Sequence, residues 1–518
     1  MVPLQITRTH LMKIKKNYTF EILLILGIIV RVVLLGIVPA GGNYDECYAG
    51  YEAWALLTRG VDSWGYNYPM YLITWGGGMN ALYTYLLIPF IKIGGLNLFT
   101  IRIPQVIVGI LTLPALYATV KRLFDTRTAE ISMFLLTISP WHIMMCRWGL
   151  ESNLAVGFIV FTIYFFVRSF DRKPFIILCA LFAGFCLYAY ATMWIAVPIL
   201  LFLFTVYSLM TKKVKFNISF VIAIVLLLIL ALPAILFVLV NLGYMDEVRT
   251  PYFSIPRLMV FRSDEVGSGI LFNVIDLLLI IFFQTDRMPW VNSIVGFGTV
   301  YYITPILCRI GIGKRASSIK KAWKEKQFEP TIFVIIYLLT AIILGITIYL
   351  PRITNVNILF IPLLILAAIG IKDLKRRKLI LVIYFAWFLC FICVYFTIYQ
   401  KNIKNVFNFG LDSAIKEASI YSERIVFSSD VAHPQVLFYT QTPPDEYYNT
   451  VVYDEYSSTY LLAKSFGNYS FGYELESLDF NASYILSPSD DIESFKSLGF
   501  VVIDSEDFGK FSVLYYPS

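Results

Sequence analysis

A chain of 518 residues that is 58% hydrophobic and 15% charged lies well outside the composition of a soluble protein. Its net charge of +7 is unevenly placed: residues 404–518 hold 6 Lys/Arg against 17 Asp/Glu, a net −11, which leaves +18 for the rest. The basic excess sits in short loops between apolar runs, where it sets orientation in a membrane and gives no sign of nucleic-acid binding. None of the 7 cysteines lies in the acidic tail, which excludes a disulfide scaffold there.

The first apolar run, about 20–40, is too long for a signal peptide and lacks a small-residue cleavage site. The basic tail before it (Arg8, Lys13, Lys15, Lys16) predicts a cytoplasmic start, so residues 41–100 form an external loop. Segment 78–96 is apolar but carries Lys92. If it crossed, every later basic loop would flip outward, so it is expected to lie along the outer leaflet. A span over 101–123 returns to Lys121, Arg122 and Arg127, and a short one over 129–139 leads out to Ser139-Pro140-Trp141. The run 154–168 returns to Arg168, Arg172 and Lys173. A hairpin of 174–190 and 193–210 ends at Lys212, Lys213 and Lys215, and 217–240 goes out.

The stretch Arg309 to Lys326 is strongly basic and is expected inside, so an even number of crossings separates it from Lys215. Spans at 217–240 and 291–309 supply that number, which makes 269–284 a re-entrant or interfacial helix. Runs 331–350, 356–371 and 379–398 then go out, in and out. The prediction is an all-α polytopic membrane domain, 1–400, of about 11 transmembrane helices, with its N-terminus inside. Its external loops are 41–100, 140–153 and 241–290. Residues 401–518 read as an extracytoplasmic α/β domain, with helices near 410–422, 434–439 and 490–498 and strands near 424–427, 482–486, 500–503 and 511–516.

Four polar clusters fall on the external side. The first holds Asp45, Glu46, Glu52, Arg59 and Asp62, and the second His142, Arg147, Glu151 and Asn153. The third holds Asp246, Glu247, Arg249, Arg257, Arg262, Asp264, Glu265, Asp286 and Arg287, and the fourth Arg352, Asn355 and Asn357. Carboxylates at a membrane edge, opposed by arginines, suit sugar transfer from a polyprenyl-phosphate carrier. An acceptor hydroxyl needs a base, which one Asp supplies. The leaving group is already a phosphate anion and needs a cation, which a forked Arg supplies.

The order of motifs carries a resemblance. Asp45-Glu46 follows the first span. Ser139-Pro140-Trp141-His142 and Arg147-Trp148-Gly149-Leu150-Glu151 follow the third. Ile101-Arg102-Ile103-Pro104 resembles the start of the second span, and Leu187-Tyr188-Ala189-Tyr190-Ala191 the small-aromatic stretch before the sixth. Over about residues 20–400 the chain resembles a GT-C superfamily glycosyltransferase of the protein O-mannosyltransferase and lipid A aminoarabinose-transferase type. The resemblance implies an inverting transferase acting on a polyprenyl-phosphate-linked sugar and an extracytoplasmic acceptor (protein, glycolipid or cell-wall glycan), in a multi-pass protein of the cell membrane. Asp45 would be the base, and Glu46 would position it or help bind a divalent metal; no other cofactor is implied. Arg147 would face the donor phosphate and Glu151 would orient polar groups beside it, with Arg59, Arg257, Arg287 and Arg352 as further candidates for the phosphate.

Plainer roles stand beside these. Asp45-Glu46 also fits a helix start, Arg147 with Glu151 fits an i, i+4 salt bridge, His142 fits an interfacial histidine, and Arg102 a snorkelling anchor. Gly76-Gly77-Gly78 lacks the context of a phosphate loop and reads as a flexible bend. Cys390 and Cys393 form CxxC inside an apolar run, which suits neither zinc nor redox chemistry. A transporter or flippase of lipid-linked sugars would place charges mid-span and repeat itself internally. A non-catalytic envelope-assembly protein would tolerate loss of Asp45.

Overall fold

The first apolar run does not make one straight helix. In a computed structural model, which describes residues 18–261, 266–288, 290–454 and 461–517, α1 covers only Thr19–Val32. The tail residues Arg8, Lys13, Lys15 and Lys16, and the loop residues Arg262, Asp264 and Glu265, lie outside the described set. Beyond α1, Leu34 takes a left-handed φ of 57°, and Gly36, Pro39, Gly41 and Gly42 keep the chain irregular. Unpaired carbonyls at membrane depth are costly. Two buried arginines take them: Arg147 donates to Val30, Val33 and Val38, and Arg102 to Leu35, Pro39 and Gly41.

α2 (Tyr44–Arg59), the antiparallel pair β1 (Tyr71–Leu72) and β2 (Met79–Asn80), and α3 (Leu82–Gly94) follow at one end of the bundle. One face of α3 is buried through Tyr83, Thr84, Leu87 and Ile91. The bundle continues with α4 (Leu98–Leu123), α5 (Thr126–Ile138), the short α6 (Pro140–Met145), α7 (Glu151–Arg168), α8 (Phe175–Ala189), α9 (Met193–Met210) and α10 (Ile218–Asn241). A ribbon of β3 (Val248–Arg249) and β4 (Ser254–Ile255) precedes α11 (Ile270–Leu278), which runs on as a wide π turn through Phe283. Then come α12 (Thr304–Glu325), α13 (Pro330–Thr347), α14 (Phe360–Lys372) and α15 (Arg377–Phe396).

Among the described residues, six helices are long and apolar enough to cross a bilayer: α4, α7, α9, α10, α13 and α15. α3, α8, α11 and α14 are apolar but shorter. The expected span over 291–309 is different in the structure. Residues 290–303 run in turns, and α12 starts at Thr304 with Pro305 in its first turn. The basic stretch is therefore most of one helix, from Arg309 onward. α12 crosses α14 at two glycines: a Cβ on Gly311 would sit 2.2 Å from the Leu366 carbonyl oxygen, and one on Gly370 2.2 Å from that of Leu307.

α16 (Ile398–Val406) buries Tyr399 and Ile403 in the core of the bundle, and the acidic tail then folds as α17 (Leu411–Tyr421), α18 (His433–Thr440), α19 (Pro444–Thr450) and α20 (Ile492–Ser497) around a mixed sheet. Its strands are β5 (Ile425–Phe427), β6 (Val452–Tyr453), β7 (Ala463–Phe466), β8 (Tyr469–Phe471), β9 (Ser483–Leu486), β10 (Val501–Asp504) and β11 (Ser512–Tyr515), in the order β10-β11-β9-β5-β8-β7-β6. β5 pairs in parallel with β8 and β9; the other pairs are antiparallel. The tail is not a loose appendage. Tyr48 and Tyr51 of α2 belong to the same apolar core as Phe427, Ile485 and Val513.

Candidate active site

α2 begins with a reciprocal cap. The Asn43 side chain accepts the Asp45 N–H at 2.9 Å, and Glu46 accepts the Asn43 N–H at 3.0 Å. The Asp-Glu pair is thus a helix start, but its two members meet different surroundings. Glu46 is fully buried. It accepts from Arg102 Nε at 3.1 Å and Nη2 at 2.7 Å, and from the Gly149 N–H at 2.9 Å. With the three carbonyls above, all five N–H groups of Arg102 have acceptors. Glu46 therefore ties α2 to α4 and to the loop before α7, and its oxygens are too fully engaged to hold a metal. Among the described residues, no group of three His, Cys, Asp or Glu side chains is placed to bind one.

Asp45 is only half-buried. One oxygen accepts the Trp75 indole N–H at 3.1 Å; the other has no hydrogen bond among the described residues. Burial raises its pKa above the usual carboxylate range, and the Glu46 charge adds to this, while the Trp75 hydrogen bond and the charge of Arg352 oppose it. Tyr190, after α8, feels the same neighbours. Burial, Glu151 and Asp45 raise its phenol pKa and Arg352 opposes them. Its hydroxyl donates to Asn355 Oδ1 at 3.0 Å. Tyr190 therefore lies within electrostatic reach of Asp45, Glu151 and Arg352 at this end of the bundle.

The wall behind them is polar and tied together. Glu151 accepts the Asn80 backbone N–H, and Asn80 Nδ2 reaches the Leu187 carbonyl at 3.1 Å. Trp141 Nε1 donates to Asn357 Oδ1 at 2.7 Å, and Asn357 Nδ2 donates to Asn153 Oδ1 at 3.1 Å. These bonds join the second and fourth clusters.

The structure separates the arginines. Arg147 is spent on the carbonyls of Val30, Val33 and Val38 and lies over the Tyr395 and Phe396 rings; it makes neither an ion pair with Glu151 nor any other ion pair among the described residues. Arg59 faces Asp445 at 3.8 Å, Arg287 faces Asp276 at 3.1 Å, and Arg257 bonds the Met245 carbonyl at 2.9 Å with Asp246 at 3.6 Å. Arg352 is exposed, touches Met288 Sδ at 3.2 Å, and has no carboxylate partner among the described residues. His142 is fully buried and its Nδ1 accepts from Arg31 at 2.7 Å, a structural bond. Sequence reasoning passed over Trp75 and Asn355 as partners of Asp45 and Tyr190; a tryptophan beside a glycine triplet was the one local signal.

The bundle, with a long capped loop after its first helix and a sheet domain docked upon that loop, has the GT-C fold. The similarities agree. Residues 81–237 match the family model described as dolichyl-phosphate-mannose-protein mannosyltransferase. ArnT from Cupriavidus metallidurans bound to undecaprenyl phosphate has a similar fold: TM-score 0.58 at 13% identity, over 97% of this chain and 100% of that one. In its apo state the values are 0.56, 12%, 96% and 99%. No curated protein sequence matches the chain. The chain is thus a multi-helix protein of GT-C fold that resembles the protein mannosyltransferases and ArnT.

Proposed function

We propose that the chain is an inverting glycosyltransferase that moves a sugar from a polyprenyl-phosphate donor to an acceptor outside the cytoplasm. The observation that carries this reading is Asp45, with one oxygen free of hydrogen bonds among the described residues, within electrostatic reach of Arg352, a cation that makes no ion pair with a carboxylate among them. The acceptor hydroxyl attacks the anomeric carbon and gives its proton to Asp45. The bond from that carbon to the phosphate oxygen breaks, and polyprenyl phosphate leaves as an anion beside Arg352. Glu151 and Tyr190 orient the sugar or acceptor. Arg59, Arg257 and Arg287 have acidic neighbours, which makes Arg352 the first choice for the donor phosphate. ArnT, similar in fold, has been crystallised with undecaprenyl phosphate, which fits the same class of carrier.

In this reading the N-terminus is cytoplasmic, and the sheet domain after about residue 400 stands outside, over the site. The test is Asp45→Asn, with transfer followed as release of polyprenyl phosphate from a panel of polyprenyl-phosphate sugars. The variant should fold and bind donor, yet transfer at least ~10²-fold more slowly. Near-normal transfer would remove the base assignment.

A further inference from the structure

The one hydrogen bond that a described side chain gives Asp45 comes from a residue in an uncommon backbone state. Trp75 has a φ of 56°, which a bulky residue rarely adopts. Such a conformation persists only when its surroundings over-determine it. Two distant segments grip this turn. The Leu461 N–H donates to the Trp75 carbonyl at 2.9 Å, and the Val260 N–H to the Gly76 carbonyl at 3.1 Å. The indole ring meets the His433 ring edge-on at 5.4 Å, the Tyr44 ring at 6.1 Å and the Tyr48 ring at 6.5 Å. His433 is itself wedged: it lies 5.9 Å from Tyr48, stacks on Tyr447 at 6.2 Å, and its Nδ1 accepts the Ala463 N–H at 3.4 Å. Leu461, His433, Tyr447 and Ala463 all belong to the C-terminal domain.

We propose that Trp75 is a positioning residue for Asp45, and that the C-terminal domain holds Trp75 in place through Leu461 and His433. The proposal rests on Asp45 as the base. It makes the domain part of the transfer site. The indole N–H fixes which carboxylate oxygen is left for the acceptor proton, and it favours the ionised form against burial. Among the described residues, the other charged or titratable groups facing Asp45 are Glu46, Cys47, Glu151, Tyr190 and Arg352. His433 lies behind the indole, kept neutral by burial, which lowers its pKa to about 3, so the wedge itself does not titrate in the working range.

The test uses the full-length protein carrying 5-fluorotryptophan at its 9 tryptophans, read by fluorine NMR. The Trp75 resonance is assigned by its loss in Trp75→Phe. It should titrate with Asp45, stop titrating in Asp45→Asn, and move in His433→Ala while the resonance of Trp194, packed on Phe237, stays. If His433→Ala does not fold, His433→Gln serves in its place, since it keeps an acceptor but no ring. A Trp75 resonance indifferent to Asp45→Asn, or to the His433 variant, would overturn the proposal. In transfer, Trp75→Phe should move the acid limb of the pH–rate profile up by about one pH unit, with donor KM unchanged. An unmoved limb would overturn it too. Failure of the base assignment looks different: Asp45→Asn would transfer normally while the fluorine titration of the unmutated protein persisted.

Discussion

Glu46→Gln separates a structural carboxylate from a catalytic one. The side chain takes four protein N–H groups: two from Arg102, one from Asn43 and one from Gly149. A glutamine presents one oxygen and one NH₂, so at least one donor must face another donor, and the Arg102 charge loses its counter-charge where both side chains are wholly buried. Breaking a buried ion pair from one side costs about 3–5 kcal/mol. The loss should appear as a clear fall in the apparent unfolding temperature of the detergent-solubilised protein. The double variant Glu46→Gln/Arg102→Met should be less destabilised than the two single losses added together, because neither partner is then left alone. Glu46→Gln that melts like the unmutated protein, yet transfers sugar ~10²-fold more slowly, would refute the reasoning and return Glu46 to the chemistry.

Arg352→Lys keeps a charge but loses the fork, so donor binding should weaken by roughly tenfold with little change in stability; unchanged binding would pass the phosphate to another arginine. Arg147→Lys should instead lower stability, by about 1–3 kcal/mol, because one ammonium cannot replace the fork that holds three carbonyls. Weaker donor binding at unchanged stability would reverse that assignment. Glu52 and Asp62 are both fully buried; burial raises both carboxyl pKa values, and the neighbouring charge of Asp62 adds to the rise at Glu52. A carboxyl with a raised folded-state pKa binds more protons folded than unfolded. Stability should therefore fall as pH rises from the ordinary carboxylate range toward and through neutrality. Glu52→Gln should flatten that slope in thermal unfolding between pH 5 and 9 (an assay window of about four units), and a slope left as steep would discount the pair.

The legible part of the fold is the part that periodicity and charge control. Long apolar runs gave α4, α7, α9, α10, α13 and α15, and alternation in the tail located β5, β9, β10 and β11 to within a residue or two. What was not legible depended on contacts between distant residues. The end of α1 unravels because Arg102 and Arg147, about 70 and 115 residues away, supply the donors that let it. No local pattern announces that. The same pairing explains the site. Arg147 reads as a phosphate ligand from its position after the third span, but both its Nη groups are held by backbone carbonyls, whereas Arg352 carries no motif and its charge acts on Asp45. The hairpin of β7 and β8 was missed because Asn468 and Gly467 mark a turn between strands of only three or four residues.

The docking of the sheet domain on α2 has a consequence for how the protein comes into being. Gly42 is held by Phe407 and Gln435, and Tyr51 by Thr442, residues synthesised about 360 to 390 positions later. The ribosome makes the loop bearing Asp45 early, but its companions emerge almost last and reach it only after α15 has been inserted. A half-made chain thus carries the carboxylate without the frame that sets its geometry. The frame of that loop is complete only when the final domain closes over it, after the bundle has been made.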